Sequence, residues 1–170
     1  MRDAATIGRD RARRRFEALA RLDDTDIDLA EAALWLSAEA YPDLDVAFWL
    51  DRLGELASRA AGTVQAATTE RGRVEALNRV LFVDEGFSGN RVDYYDPRNS
   101  FLNQVIERRR GIPITLSVLY VDVAQRLGMH AAGVGFPGHF VCKVVGAEEI
   151  IVDAFGGAVL PPARCEELLQ

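Results

Sequence analysis

Two residues in the last third of the chain are spaced for acid–base chemistry. His139 lies in "GFPGHFVCKV", between a Gly-Pro-Gly corner and a run of alternating apolar residues, and Asp153 closes the apolar run "EIIVD". An antiparallel hairpin turning near Gly146 and Ala147 would set His139 and Asp153 side by side. A carboxylate beside an imidazole fixes its tautomer and stabilises its cation, which supplies the base and the orienting group of a nucleophile, base and orienter set. The missing member belongs at a helix N-terminus, where the dipole stabilises an anion. The helix opened by "RGIPITLS" is the one placed to provide it. Its start offers the hydroxyls of Thr115 and Ser117, and Thr115 could instead satisfy the free N–H groups of that turn.

Neither cysteine fits the role. Cys142 is three residues beyond His139 in an extended run, so it faces the other side of the strand and reads as core. Cys165 lies in "PPARCEELLQ", a terminal helix. His130 follows "LGM" with no acidic neighbour in its strand and reads as an exposed loop residue. Two cysteines and two histidines give neither a disulfide framework nor zinc spacing, so no metal and no cofactor are expected.

The elements that must hold these groups come in two blocks. The segments "TIGRDRARRRFEALARL", "DDTDIDLAEAALWLSAEAYP", "DLDVAFWLDRLGELASRA" and "RGRVEALNRVLFVDEGF" read as four packed amphipathic helices. Their apolar stripes are Leu29, Ala32, Ala33 and Leu36 in the second, Val46, Trp49, Leu50, Leu53 and Leu56 in the third, and Val74, Leu77, Val80 and Leu81 in the fourth. Pro42 closes the second. "GFSGNRVDYYDPRNS" is a surface loop, dense in residues that favour turns. Asn99 or Ser100 can cap the next helix, "FLNQVIERRRG", whose arginines suit the negative end of its dipole and whose Gly111 can take the left-handed conformation. Arg110 is a candidate for an anion. "GIPITLSVLYVDVAQRLGM" then carries the stripe Leu116, Leu119, Tyr120, Val123, Ala124 and Leu127 behind Pro113 in the first turn. "HAAGVGF", "HFVCKVV" and "EIIVDAF" read as strands, the last two as an antiparallel hairpin. The whole is an α+β domain: a helical part over about 9–110, a central helix over about 112–127, and an antiparallel sheet over about 130–160.

Composition sets the outer limits. A chain of 170 residues, 49% hydrophobic, builds one ordinary domain. The net charge of -6 and a pI near 5.0 argue against a nucleic-acid partner, which requires clustered cations. With no apolar run long enough for a bilayer and no signal-peptide core at the start, no membrane partner and a cytoplasmic location are expected. Arginines 9, 11, 13, 14 and 15 form a charge run that could meet an acidic partner, although such a run commonly serves as a solvated helix face.

The stretch "DPRNSFLNQVIERRRGIPITLSVLYVDVAQRLGM", followed by "GVGFPGHFVCKV" and "IIVDAFGG", resembles the bacterial transglutaminase-like domain that is usually joined to tetratricopeptide repeats and described as a regulator of SirC expression. The likeness covers roughly residues 24–160, and no such repeats are visible in this chain. It implies a papain-like core in which a Cys at the start of the central helix works with a His and an Asp on adjacent strands. His139 and Asp153 match the latter two, while residues 111–117 hold no Cys. The resemblance therefore implies a non-catalytic module that binds a protein or peptide through a cleft bordered by His139, Asp153, Tyr94, Tyr95 and Asn103, with Asn99 and Arg110 as further binding candidates. The alternative is a hydrolase or acyl transferase with Ser117 or Thr115 as nucleophile and His139 as base.

Overall fold

A computed structural model describes residues 3–24, 26–136 and 139–167. Four helices come first: α1 (Ala4–Leu19), α2 (Leu29–Ala40), α3 (Val46–Ala66) and α4 (Glu70–Asn78), the last continuing into a π-helical turn, Arg79–Asp84. Each begins on a short oxygen-bearing side chain that accepts an otherwise unpaired N–H. Asp3 accepts from Thr6, Asp28 from Glu31, Asp45 from Phe48 and Thr69 from Gly72. The chain then runs through the two-residue strand β1 (Ser88–Gly89), a 3-10 turn (Pro97–Ser100), α5 (Leu102–Arg108) and β2 (Arg110–Gly111) to the central helix α6 (Pro113–Arg126). Strands β3 (His130–Phe136), β4 (His139–Val145), β5 (Glu149–Asp153) and β6 (Ala158–Leu160) follow, then α7 (Pro162–Glu167).

Helix α6 is buried nearly all round. Leu116, Leu119, Tyr120, Val123 and Ala124 are shut from solvent as the stripe predicts, and so are Ser117, Val121 and Asp122. Helices α2, α3 and α5 pack on it from one side and β3 and β4 from the other. The stripes of α3 and α4 hold as well, with Trp49 and Leu50 half-buried. In α2 the predicted face is corrected: Leu29 and Leu36 are each 46% exposed, whereas Ala30, Leu34, Trp35, Ser37 and Ala38 are buried. The sequence "LAEAALWLSAEA" is apolar on almost every side, so periodicity alone does not choose. The face carrying small residues wins because it lets α5 come close enough for the Leu102 N–H to donate to Ser37 Oγ at 3.2 Å. That bond also replaces the expected cap of α5, where Phe101 holds the N-cap position and Asn99 and Ser100 sit in the preceding turn. At the other end of α5 the left-handed residue is Arg109, with φ of 58°, not Gly111. Its guanidinium is anchored by Glu85 at 3.0 Å and lies 4.6 Å over the Phe87 ring. Gly111 serves close packing instead, since a Cβ there would lie 3.0 Å from Thr115 Oγ1 and from Val105.

The sheet is antiparallel in the order β3-β4-β5-β6, as expected, with one strand more than the three read from sequence. His130 is exposed but begins β3, opposite Val145, and is not a loop residue. Pro137 and Gly138 of the predicted corner lie outside the described residues. The hairpin register differs from the expected one by two residues. Val145 pairs with Glu149 and Cys142 with Val152, so the turn centres on Ala147, and continuing the pattern sets Asp153 opposite Val141, not His139. The turn is closed by the Gly146 N–H donating to the Glu148 carbonyl at 3.1 Å. Among the described residues no helix is long and apolar enough to cross a membrane.

Candidate functional site

Strand alternation puts Phe140, Cys142 and Val144 on the face of β4 that meets α6, and His139 on the other. Cys142 is completely buried, and its Sγ lies 3.7 Å from the Ser117 carbonyl oxygen. Burial pushes its thiol up to about 12, so the nucleophilic thiolate is absent at neutral pH. The sequence reading of Cys142 as core holds. Because a slip of two residues preserves the face, His139 and Asp153 still share one side of the sheet. They are now diagonal neighbours, and such positions are about 7–8 Å apart in a regular antiparallel pair. His139 is exposed, and among the described residues its ring has no hydrogen-bond partner. The Asp153 carboxylate instead accepts from the Phe155 N–H at 2.9 Å and the Gly156 N–H at 3.0 Å, which folds the turn after β5.

The hydroxyls at the start of α6 are also committed or enclosed. Thr115 Oγ1 donates to the Asn99 carbonyl at 2.7 Å and accepts from the Ile112 N–H at 3.3 Å, the local helix-start role its position suggests. Ser117 is completely buried, and its Oγ has no partner among the described residues; the same is true of the Tyr120 hydroxyl one turn later. Burial raises the Tyr120 pKa above its ordinary value. Tyr120 stacks on Phe82 of the π-helical turn, with ring centroids 6.0 Å apart.

Asn99 is the hub of the loop before α5. Its side-chain amide donates to the carbonyls of Asp93 and Tyr94 at 2.8 and 3.1 Å, and its Oδ1 accepts from Asn90 at 3.0 Å. Asn90 in turn accepts from the Asp93 N–H. Asp96 fixes the other end of the loop through Arg98 and through Arg108 at 2.9 Å. Hydrogen bonding from Arg98, with the Arg108 charge behind it, holds the Asp96 carboxyl down at about 2. This network presents Val92 at 100% exposure and Tyr95 at 91%, beside Tyr94. Tyr94 also meets Phe155, with centroids 6.0 Å apart, and Arg91 lies 5.0 Å over the same Phe155 ring.

The structure therefore joins Tyr94, Tyr95, Asn99, Thr115 and the turn after Asp153 into one neighbourhood. Two predicted members stand apart. Asn103 lines a separate cleft beside Tyr41 and Trp49, and Arg110 donates to the Gly86 and Arg109 carbonyls. Arg11 and Arg15 of the N-terminal run lie over Trp35, and Arg13 pairs with Glu39, so these three serve helix packing. Asn90, Arg91, Asp96 and Phe155 were not picked out from sequence. The clue available was the density of Asn and Asp in a turn-rich stretch, since these side chains bond to nearby backbone. Among the described residues no group of three His, Cys, Asp or Glu side chains could hold a metal ion.

A central helix wrapped by helices on one side, with its first turns packed on an antiparallel sheet whose strands carry a His and an Asp, defines the transglutaminase-like, papain-like class of α+β fold. The chain belongs to the transglutaminase-like superfamily, which it matches over residues 47–170. A UPF0162 protein of Xylella fastidiosa strain 9a5c is 40% identical over 156 residues, covering 91% of this chain and 55% of that one. A UPF0162 protein of Vibrio cholerae is 32% identical over 142 residues, covering 81% and 53%. Human F-box only protein 21 is 42% identical over 106 residues, covering 56% of this chain and 17% of its own length. This chain thus spans about half the length of the UPF0162 relatives it matches. No solved structure matches it.

Proposed function

We propose that this domain is a non-catalytic transglutaminase-like module that binds a protein or peptide at the face formed by the Val92–Tyr95 loop, Phe155 and the strand ends bearing His139 and Asp153. The observation that carries the reading is the state of every candidate nucleophile. The position at the helix start that holds the superfamily's Cys has no thiol. Thr115 is bonded to Asn99, Ser117 is enclosed, and the Cys142 thiol is buried and protonated. Beside these, the loop displays apolar side chains on a backbone already ordered by Asn90 and Asn99, so binding there loses little conformational entropy. Recurrence of the same stretch as 17% of a protein named for its F-box suits a portable module. On this reading the partner is a polypeptide, not nucleic acid or membrane, the setting is cytoplasmic, and the domain serves a regulator of the kind described for SirC expression, alongside tetratricopeptide repeats.

The test is turnover. The purified chain is given a glutamine-donor peptide with a labelled amine and, separately, an activated ester and a thioester. Wild-type protein and the His139→Ala variant are expected to give the same background rates. A rate that drops at least tenfold on His139→Ala would instead support hydroxyl-based hydrolysis or acyl transfer, because a positioned general base contributes about 10²–10⁴-fold.

A further inference from the structure

On the helical side of the molecule, the link between α2 and α3 and the first turn of α5 leave an open cleft of about 350 Å³, lined by Tyr41, Leu44 and Trp49, with Asp43 and Asn103. No residue of α6 or of the sheet lines it, so it is separate from the face just described. Three features of it ask for the same ligand. Asn103 is 4% exposed, and among the described residues neither end of its side-chain amide has a hydrogen-bond partner. The amide can therefore turn end for end without breaking a bond and present its carbonyl oxygen to a donor in the cleft. Tyr41 and Trp49 meet the neighbouring rings of Phe101 and Phe48 edge to face, at centroid distances of 5.4 and 5.3 Å. Among the described residues no cation lies over either ring, whereas arginines cover Trp35, Phe87 and Phe155. Asp43 is exposed and its carboxylate has no partner among the described residues. Arg98, the nearby cation, is held by Asp96 at 2.8 Å.

An uncovered aromatic surface favours a cation, a free carboxylate favours a cation with N–H donors, and an unpaired carbonyl oxygen needs a donor. A guanidinium meets all three demands, because it is planar, permanently charged and has five donors in a fixed fork. We propose that this cleft binds the arginine side chain of a partner polypeptide. The guanidinium stacks on the Tyr41 and Trp49 rings, donates to the Asp43 carboxylate, and donates to Asn103 Oδ1 at the floor. Leu44 packs on the methylene stem. The inference does not depend on whether the domain is catalytic.

Three blocked tripeptides, Gly-Arg-Gly, Gly-citrulline-Gly and Gly-Lys-Gly, are titrated into the ¹⁵N-labelled 170-residue chain while the Trp49 indole and Asn103 side-chain N–H signals are followed. Citrulline keeps the shape of arginine but has a carbonyl oxygen in place of one NH2 group, so it lacks the charge and two of the five donors. The arginine peptide should shift both signals saturably, with the citrulline peptide at least about tenfold weaker and the lysine peptide about threefold weaker. Asp43→Asn should weaken the arginine peptide about fivefold without moving the urea midpoint, since Asp43 is exposed and unpaired. Citrulline binding as well as arginine, or no shift at Trp49 and Asn103, would overturn the proposal. Unchanged affinity in Asp43→Asn would do the same.

Discussion

At the scale of single residues, the polar and titratable groups around the candidate site are mostly doing structural work, and each makes a measurable claim. Asp96 is the sharpest case. Its carboxyl titrates at about 2 in the folded chain, against an ordinary 3.8, because Arg98 and Arg108 bind the ionised form. A depressed carboxyl stabilises the fold above its unfolded pKa and loses that contribution as pH falls from about 4 to about 2. Asp96→Asn should therefore flatten the decline of unfolding free energy across that window, as read by urea denaturation at a series of pH values. A decline as steep as in wild type would remove Asp96 from the account. Asn99 is completely buried and makes four side-chain hydrogen bonds, the one from Arg108 long at 3.5 Å, so Asn99→Ala should cost roughly 2–4 kcal/mol at about 1 kcal/mol per bond. Loss of amide-exchange protection at Asp93, whose N–H bonds to Asn90, should accompany it. For the thiols, iodoacetamide at pH 8 should label the partly exposed Cys165 and leave Cys142 untouched in the native chain. Labelling of both at equal rates would mean that β4 opens readily.

At the scale of elements, periodicity was the reliable guide where one face is clearly apolar, and failed where it is not. The stripe of α6 and the stripes of α3 and α4 could be read directly, and the antiparallel hairpin of β4 and β5 was legible from two apolar runs around "GAE". The buried face of α2 was not legible, because "LAEAALWLSAEA" is apolar nearly all round and a hydrogen bond from a distant segment, Leu102 to Ser37, decides the matter. The register of the hairpin was not legible either. Moving the turn centre from Gly146 to Ala147 moves the partner of Asp153 by two residues, and the sequence around the turn fits both. This single residue decides whether His139 and Asp153 are directly opposed or diagonal. The β1 strand makes a separate prediction. A Cβ on Gly89 would collide with the Phe155 ring, so Gly89→Ala must push that ring away and uncouple it from Tyr94. A loss of about 1–3 kcal/mol is expected from such overpacking. In α6, Leu119→Ala should cost about 2–5 kcal/mol by leaving a cavity in the core. A cost under 0.5 kcal/mol would show that the helix is not the centre of the core.

At the scale of the molecule, the proposed reading is that the transglutaminase-like fold keeps the frame of an acyl-transfer site without an accessible nucleophile in it. The central helix, the strand-borne histidine and the aspartate after it are all present, yet Asp153 organises its own turn and the hydroxyls of the helix start are bonded or enclosed. The loop with Val92, Tyr94 and Tyr95 faces outward, and the proposed reading makes it the binding surface. The sequence pointed to the absent thiol through residues 111–117, but the commitments of Thr115 and Ser117 depend on Asn99 and on the packing of β4 against α6, which no local pattern encodes. The most direct measurement is intact-mass analysis of the chain after incubation with an activated acyl donor, quenched in acid and mapped by peptide sequencing. The account predicts no acyl adduct on Thr115, Ser117 or Cys142 at any time point. An adduct on one of them that forms in wild type and disappears in His139→Ala would contradict it.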